Sequence, residues 1–169
     1  MTVRRLTPSH AAAYRALMLA AYREAPLAFT STVHEREALP LDWWRERVSD
    51  APDAAQRVLG AFDGDTLVGV AGLRFHQRER TRHKATLFGM YTAPAHRGLG
   101  LGRQLVQAAT EAARAEPGVS ILQLTVRAPN TVARRLYEAC GFEAFGVEPR
   151  AVRTRDGHVL ATVHMWRPV

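Results

Sequence analysis

The stretch Arg97-Gly98-Leu99-Gly100-Leu101-Gly102-Arg103 concentrates the residue types that handle anions. Alternating glycines allow a tight turn and let backbone N–H groups converge on one point. The segment before them reads as a strand and the segment after them as a helix. The first free N–H groups of that helix add their dipole, so a phosphate or pyrophosphate is the expected guest. A nucleotide P-loop is excluded, because the chain has no Gly-Lys-Ser/Thr. A dinucleotide fingerprint needs GxGxxG on an early strand, whereas the spacing here is GxGxG late in the chain. An anion cradle remains, with a merely flexible connection as the bland alternative.

A second informative block runs from Asn130 to Phe142 (NTVARRLYEACGF). Asn130 is an expected helix N-cap, and Gly141 a left-handed terminator. Tyr137 shares a helix face with Ala133, which would turn it to a cleft while Val132 and Leu136 pack inward. A core tyrosine with a satisfied hydroxyl is the alternative. Cys140 has no paired histidine and reads as a small core residue. The seven histidines show no HxxxH or HExxH spacing, so no metal site is expected.

These blocks must be positioned by a domain of ordinary size. The 169 residues suit one domain, 1–169, and a chain this long buries about 70 % of its unfolded surface without disulfide or metal staples. No apolar run reaches the length of a membrane span, and MTVRRLTPSH lacks a signal-peptide core. A cytoplasmic protein is therefore expected. The net charge of +7 is nearly all arginine, Lys84 being the sole lysine. That charge suits a polyphosphate ligand or a nucleic acid. The cluster Arg78, Arg80 and Arg82 reads as a solvated hairpin tip, without the interleaved aromatics of a single-strand binder.

The pattern predicts a strand at 2–7, then a helix from Pro8 to Glu24 behind a Thr7 cap. Residues 25–50, broken by Pro26 and Pro40, read as loop and interrupted helices. Strands at 56–62 and 66–76 flank an Asp63-Gly64-Asp65 turn. A strand at 83–92 precedes the glycine loop and a helix to Ala115. A central strand at 119–127 and the Asn130 helix follow. Strands at 142–153 and 158–167 close the chain around Asp156-Gly157. The fold class is mixed α/β (α+β) around a single sheet.

With both blocks and this element order in view, the sequence resembles the GCN5-related N-acetyltransferases, the GNAT family. Arg97-Gly98-Leu99-Gly100-Leu101-Gly102 matches the family's [Q/R]-x-x-G-x-[G/A] motif after the fourth strand. The Asn130–Phe142 block is similar to its N-x-x-A-x-x-L-Y-x-x-x-G-F pattern. The run Arg23–Phe29 (REAPLAF) also resembles broad N-acetyltransferases of the family. The resemblance implies the acyl-CoA N-acyltransferase fold: a central, mostly antiparallel sheet with splayed fourth and fifth strands, flanked by about four helices. It implies acetyl-CoA as donor and direct attack by a primary amine in a ternary complex, with no metal.

By the same resemblance, Met90, Tyr91 and Thr92 supply backbone to the pantetheine arm, as an added strand would. Gly98, Leu99, Gly100, Leu101, Gly102 and Arg103 hold the pyrophosphate, Arg97 and Arg103 add charge, and Asn130 contacts the cofactor. Tyr137 matches the tyrosine that protonates the leaving thiolate. No carboxylate lies on the fourth strand, so Glu35, Glu37, Tyr91 or a water chain are the candidate bases. Phe29, Trp43, Trp44 and the hairpin around 149–158 are candidate acceptor-site residues. The acceptor is a small-molecule or peptide amine; no membrane or nucleic acid is implied, and a homodimer is expected. A non-catalytic acyl-CoA sensor and an arginine-rich nucleic-acid-binding domain are the competing readings.

Overall fold

The computed structural model describes residues Met1–Val169. Strand β1 (Thr2–Arg5) leads through a 3-10 turn (Pro8–His10) into α1 (Ala11–Glu24). The proline-broken segment forms another 3-10 turn (Pro26–Ala28) and two short helices, α2 (Val33–Glu37) and α3 (Leu41–Arg47). The hairpin β2 (Gln56–Asp63) and β3 (Thr66–Phe75) follows, then β4 (Lys84–Thr92), α4 (Leu101–Arg114), β5 (Ile121–Arg127) and α5 (Thr131–Ala139). Strands β6 (Glu143–Arg153) and β7 (Val159–Pro168) complete the chain. The expected helix from Pro8 starts as a 3-10 turn, and the interrupted segment adds helices, giving five α-helices rather than about four.

The strands form one sheet in the order β1-β2-β3-β4-β5-β7-β6. Every neighbouring pair is antiparallel except β4 and β5, which α4 connects as a crossover. That parallel pair is short: Lys84, Ala85 and Thr86 meet Ile121, Leu122 and Gln123, and pairing then stops. From Leu87 onward β4 is laddered to β3 alone, with a register shift opposite Gly89, whose φ of 59° only glycine adopts readily. The two central strands therefore splay, as the resemblance implied.

Each face of the sheet has its own core. On one, Leu101, Leu105, Val106, Ala109 and Ala113 of α4 pack on strand residues such as Leu73, Leu87, Leu122 and Leu124. On the other, Tyr14, Met18 and Tyr22 of α1 pack with Trp44, Val48, Val58 and Val70. The α4 periodicity seen in the sequence is this buried stripe. Gly64, Gly141 and Gly157 all take positive φ at the expected turns and helix end. Arg78, Arg80 and Arg82 are exposed in the β3–β4 connection.

The inward packing expected for Val132 and Leu136 is not found. Val132 is 80 % exposed and Leu136 half-buried, whereas Tyr137 is 8 % exposed. The first turn of α5 overhangs the splayed strands, so the side carrying Val132 and Leu136 faces an opening rather than the core. Tyr137, about 100° round the helix, packs into the core while still lining that opening, as the sequence reading expected.

Candidate active site

A cleft of about 600 Å³ opens where β4 and β5 part, bounded by the end of β4, the start of α4, the first turns of α5 and the end of α1. Its floor at one end is the glycine loop. Gly98 and Gly100 sit at φ 76° and 77°, and a Cβ at either would meet nothing within 4 Å. Their requirement is conformational, not steric. The first N–H of α4 to find an intrahelical acceptor is that of Gln104, bonded to Gly100 O at 3.1 Å. The N–H groups of Gly98, Leu99, Gly100, Leu101, Gly102 and Arg103 find no backbone acceptor. An anion at this helix start would meet several donors together with the helix dipole. Gly102 is different: a Cβ there would lie 3.0 Å from Leu136 Cδ2 and 3.4 Å from Met90 Cε. It is the point where α4, α5 and β4 come together.

Not every residue of the loop faces the cleft. Gly98, Gly100, Leu101, Gly102 and Arg103 line it, but the Leu99 side chain points away and is 55 % exposed. Arg97 lines it with its charge already engaged: Nη1 lies 2.7 Å from Glu24 Oε1, and Nε donates to Thr92 O at 3.0 Å. Arg103 carries no ion pair with a protein carboxylate, which leaves it the freer cation. Glu24 also accepts a hydrogen bond from Tyr91 Oη, so one carboxylate joins the end of α1 to β4 and to the glycine loop.

Met90, Tyr91 and Thr92 all line the opening. Their edge away from β3 has no β5 partner, which is what an added extended ligand requires. Asn130 combines both of its readings, since it lines the cleft while its Oδ1 accepts the Ala133 N–H at 3.2 Å. The Tyr137 ring packs edge-on to Phe142, and its hydroxyl donates to Met90 Sδ at 3.6 Å. Burial pushes the Tyr137 pKa up to about 12. The phenol is thus protonated throughout the neutral range, with its only protein acceptor a weak thioether.

The sequence-level candidates for a base are not brought to the site. Glu35 caps its own helix, accepting the Thr32 N–H at 2.7 Å, and Glu37 pairs with Arg23 at 2.6 Å. Tyr91 donates to Glu24, and burial with that bond pushes its pKa up to about 12, which suits a donor and not a base. Of the acceptor candidates, Phe29 lines the cleft. Trp44 is wholly buried against Tyr14, and Trp43 is held between Arg36 and Arg47; neither lines the cleft, because α3 packs under α1. The hairpin around 149–158 also lies outside its lining. Cys140 is half-buried, and burial raises its thiol pKa, as suits a packing residue.

Two polar lining residues carried no role in the sequence reading. Glu24 is the one carboxylate on the cleft wall, and His96 turns its Nε2 toward Asp63 at 3.2 Å while its Nδ1 is buried without a partner. Glu24 meets Tyr91 and Arg97 across 67 and 73 residues of chain, a coincidence no local pattern announces. No cluster of His, Cys, Asp and Glu is arranged to hold a metal ion, and no helix is long and apolar enough to cross a membrane.

Comparison with known proteins agrees with this geometry. Residues 17–142 match the family model described as "Acetyltransferase (GNAT) family". N-alpha-acetyltransferase RimI of Mycobacterium tuberculosis is 33 % identical over 56 % of this chain and 57 % of its own length. L-amino acid N-acetyltransferase AaaT of Escherichia coli is 30 % identical over 73 % of this chain and 74 % of its own. The chain spans about half the length of most of the curated relatives it matches, that last one being a fuller match. Among solved structures, an acetyltransferase of the GNAT family from Streptococcus pneumoniae superimposes with a TM-score of 0.89 at 26 % identity, covering 99 % of both chains. A family match across most of the chain, on a splayed sheet with the glycine loop at its opening, means that this chain belongs to the GNAT acetyltransferase family.

Proposed function

We propose that the protein transfers the acetyl group of acetyl-CoA to a primary amine, and that it does so directly, in a ternary complex. The observation that carries this reading is the row of unpartnered N–H groups at the start of α4, opening beside an unpaired edge of β4. Bound there, acetyl-CoA supplies an activated thioester. The N–H groups from Gly98 to Arg103 take its pyrophosphate, assisted by the unpaired Arg103. Met90, Tyr91 and Thr92 offer backbone to the amides of its arm. Arg97 acts chiefly as a strut, since Glu24 already neutralises it.

Tyr137 donates the proton that the leaving thiolate needs. Its hydroxyl already points at a sulfur, Met90 Sδ, and its pKa of about 12 keeps the proton available. The incoming amine loses its proton to solvent, because the one cleft carboxylate, Glu24, is occupied by Arg97 and Tyr91, whose hydrogen bonds lower its pKa. Such a carboxylate is ionised but a weak base. The reaction therefore needs the acceptor as the free amine. The domain spans 1–169, works in the cytoplasm beside the CoA pool, and pairs with a second copy. Exposed Phe145 and Val147 on the edge strand β6 support that pairing.

Thiol release from acetyl-CoA over a broad amine panel tests the proposal, with Tyr137→Phe beside the wild type. Turnover on an amine class that falls at least about tenfold in the variant, with unchanged acetyl-CoA affinity, supports enzyme and acid together. Turnover that survives the change removes Tyr137 from the mechanism. Acetyl-CoA binding without turnover on any amine overturns the enzyme in favour of a sensor.

A further inference from the structure

The sheet face opposite α4 and α5 carries a polar row outside the acetyl-donor cleft. Register across β5, β7 and β6 sets Arg127 opposite Thr162, and Thr162 opposite Glu148. Two residues along β5, Thr125 faces His164. Directly opposed residues on antiparallel strands project to the same side. The alternate residues Leu124 and Val126 go to the other side, into the α4 core. β5 is a central strand, yet Thr125 is exposed on this face. The sheet is left open beside the point where β4 and β5 part.

Arg127 ends β5, four residues past its last pair with β4, and is only 8 % exposed. Its Nη1 donates to Thr162 Oγ1 and its Nη2 to Thr30 Oγ1 at 2.6 Å, while its buried Nε has no acceptor. No carboxylate lies at ion-pair distance. Glu148, two strands away on the side remote from the opening, is turned to His164 at 3.4 Å. Arg57, also largely buried, does have its anion, with Glu116 at 2.6 Å. Burying a guanidinium against hydroxyls alone is costly, because neutral acceptors replace only part of its hydration. Burial accordingly lowers the Arg127 pKa. The cap over it is slight: Thr30 is an exposed loop residue, adjacent to Phe29 on the cleft wall. Asn130, on the same wall, donates its N–H to Arg127 O at 2.8 Å.

We propose that Arg127 is a specificity-determining residue that receives a carboxylate of the acceptor, in place of the Thr30 hydroxyl. The acceptor is then an amine bearing a free carboxylate a few bonds away, of the α-amino-acid type. Its amine projects from Arg127 toward the β4–β5 opening. A guanidinium fork binds a carboxylate through parallel N–H donors, and the Thr162 hydroxyl can remain as a third partner. A peptide N-terminal amine has no such group and forgoes the contact. This inference rests on the acetyltransferase reading and adds the acceptor class to it.

The test compares matched acceptors on the wild-type protein: amino acids, their carboxamides, and short peptides with free N-termini. The free acid is expected to exceed its amide by at least about tenfold in kcat/KM. In Arg127→Gln that preference should collapse to within about twofold, chiefly through KM, with transfer to the amide retained. Calorimetry on the CoA-saturated protein adds a readout independent of turnover, and should show wild type preferring the N-acetylated acid over its amide. The wild-type comparison requires no variant, so an unstable Arg127→Gln does not blunt it. Amides or peptides used as well as the acids, or a preference that survives Arg127→Gln, overturn the inference and leave the acetyltransferase standing. Transfer to no amine of any set overturns both.

Discussion

Replacing Gly100 by alanine isolates the backbone geometry of the anion cradle. Gly100 caps α4 at φ 77°, and an added Cβ meets nothing within 4 Å, so the change introduces no clash. What it introduces is a left-handed alanine, unfavourable by roughly 1–2 kcal/mol. That cost has two places to appear. If the loop keeps its shape, the free protein bears it, and Tm falls by about 2–8 °C for a domain of this size. If the loop relaxes, stability is spared, but acetyl-CoA must restore the strained conformation, and its Kd rises roughly 5- to 30-fold. Intermediate behaviour divides the same sum between the two. Scanning calorimetry of the free protein and titration calorimetry with acetyl-CoA measure both parts. Gly64→Ala is the control, because Gly64 has φ 56° and equally open surroundings in the β2–β3 turn, away from the cleft. It should lose stability with acetyl-CoA affinity intact. Gly100→Ala with both quantities unchanged, or Gly64→Ala weakening acetyl-CoA equally, would refute the cradle.

Glu24 has a depressed carboxyl pKa in the folded protein, so its stabilisation is fully present above the unfolded value near 4.3 and is lost as pH falls through the folded one. Glu24→Gln should remove part of the acid-side decline in Tm, and an unchanged profile would deny the Arg97–Glu24–Tyr91 link. Tyr91, pushed up to about 12, behaves in the opposite sense: its contribution holds below pH ~10 and fades between about 10 and 12, so Tyr91→Phe should flatten that alkaline decline in urea titrations. For Tyr137→Phe, the loss of kcat should be constant from pH 6 to 9, because a phenol near 12 does not titrate there; a loss varying across that window would point to a different acid. Leu105→Ala, wholly buried in the α4 core, should cost about 2–5 kcal/mol, and Val132→Ala, 80 % exposed, less than about 0.5 kcal/mol; equal losses in denaturant melts would contradict the outward placement of Val132 on α5.

Much of the fold was legible because its signals are local. The glycine spacing, the Asn130 cap, the Gly141 terminator and the Asp-Gly turns each act within a few residues of themselves, so residue order alone reveals them. The α4 stripe is equally local, since helix period and apolar spacing coincide. The α5 reading failed at the next level. Its periodicity identified a helix, but which side faced a core depended on β4 and β5 separating beneath it, and that separation lies in neither segment. Of the acceptor aromatics, Phe29 lines the cleft, but Trp43 and Trp44 do not, for the same reason: α3 turned Trp44 under α1 rather than toward the opening.

Amino-acid order by itself determined a glycine turn between a strand and a helix, a mixed sheet of the right element sequence, and a tyrosine on the following helix. Tertiary structure alone decided which groups share the cleft. It placed Glu24 against Tyr91 and Arg97, left Arg127 buried without an anion beside Thr30, and set the Tyr137 hydroxyl against a sulfur. These contacts join residues 47 to 97 positions apart. Turn and cap chemistry act over a few bonds and are written in neighbours, whereas the charge and burial of a site depend on what the folded sheet brings together from afar.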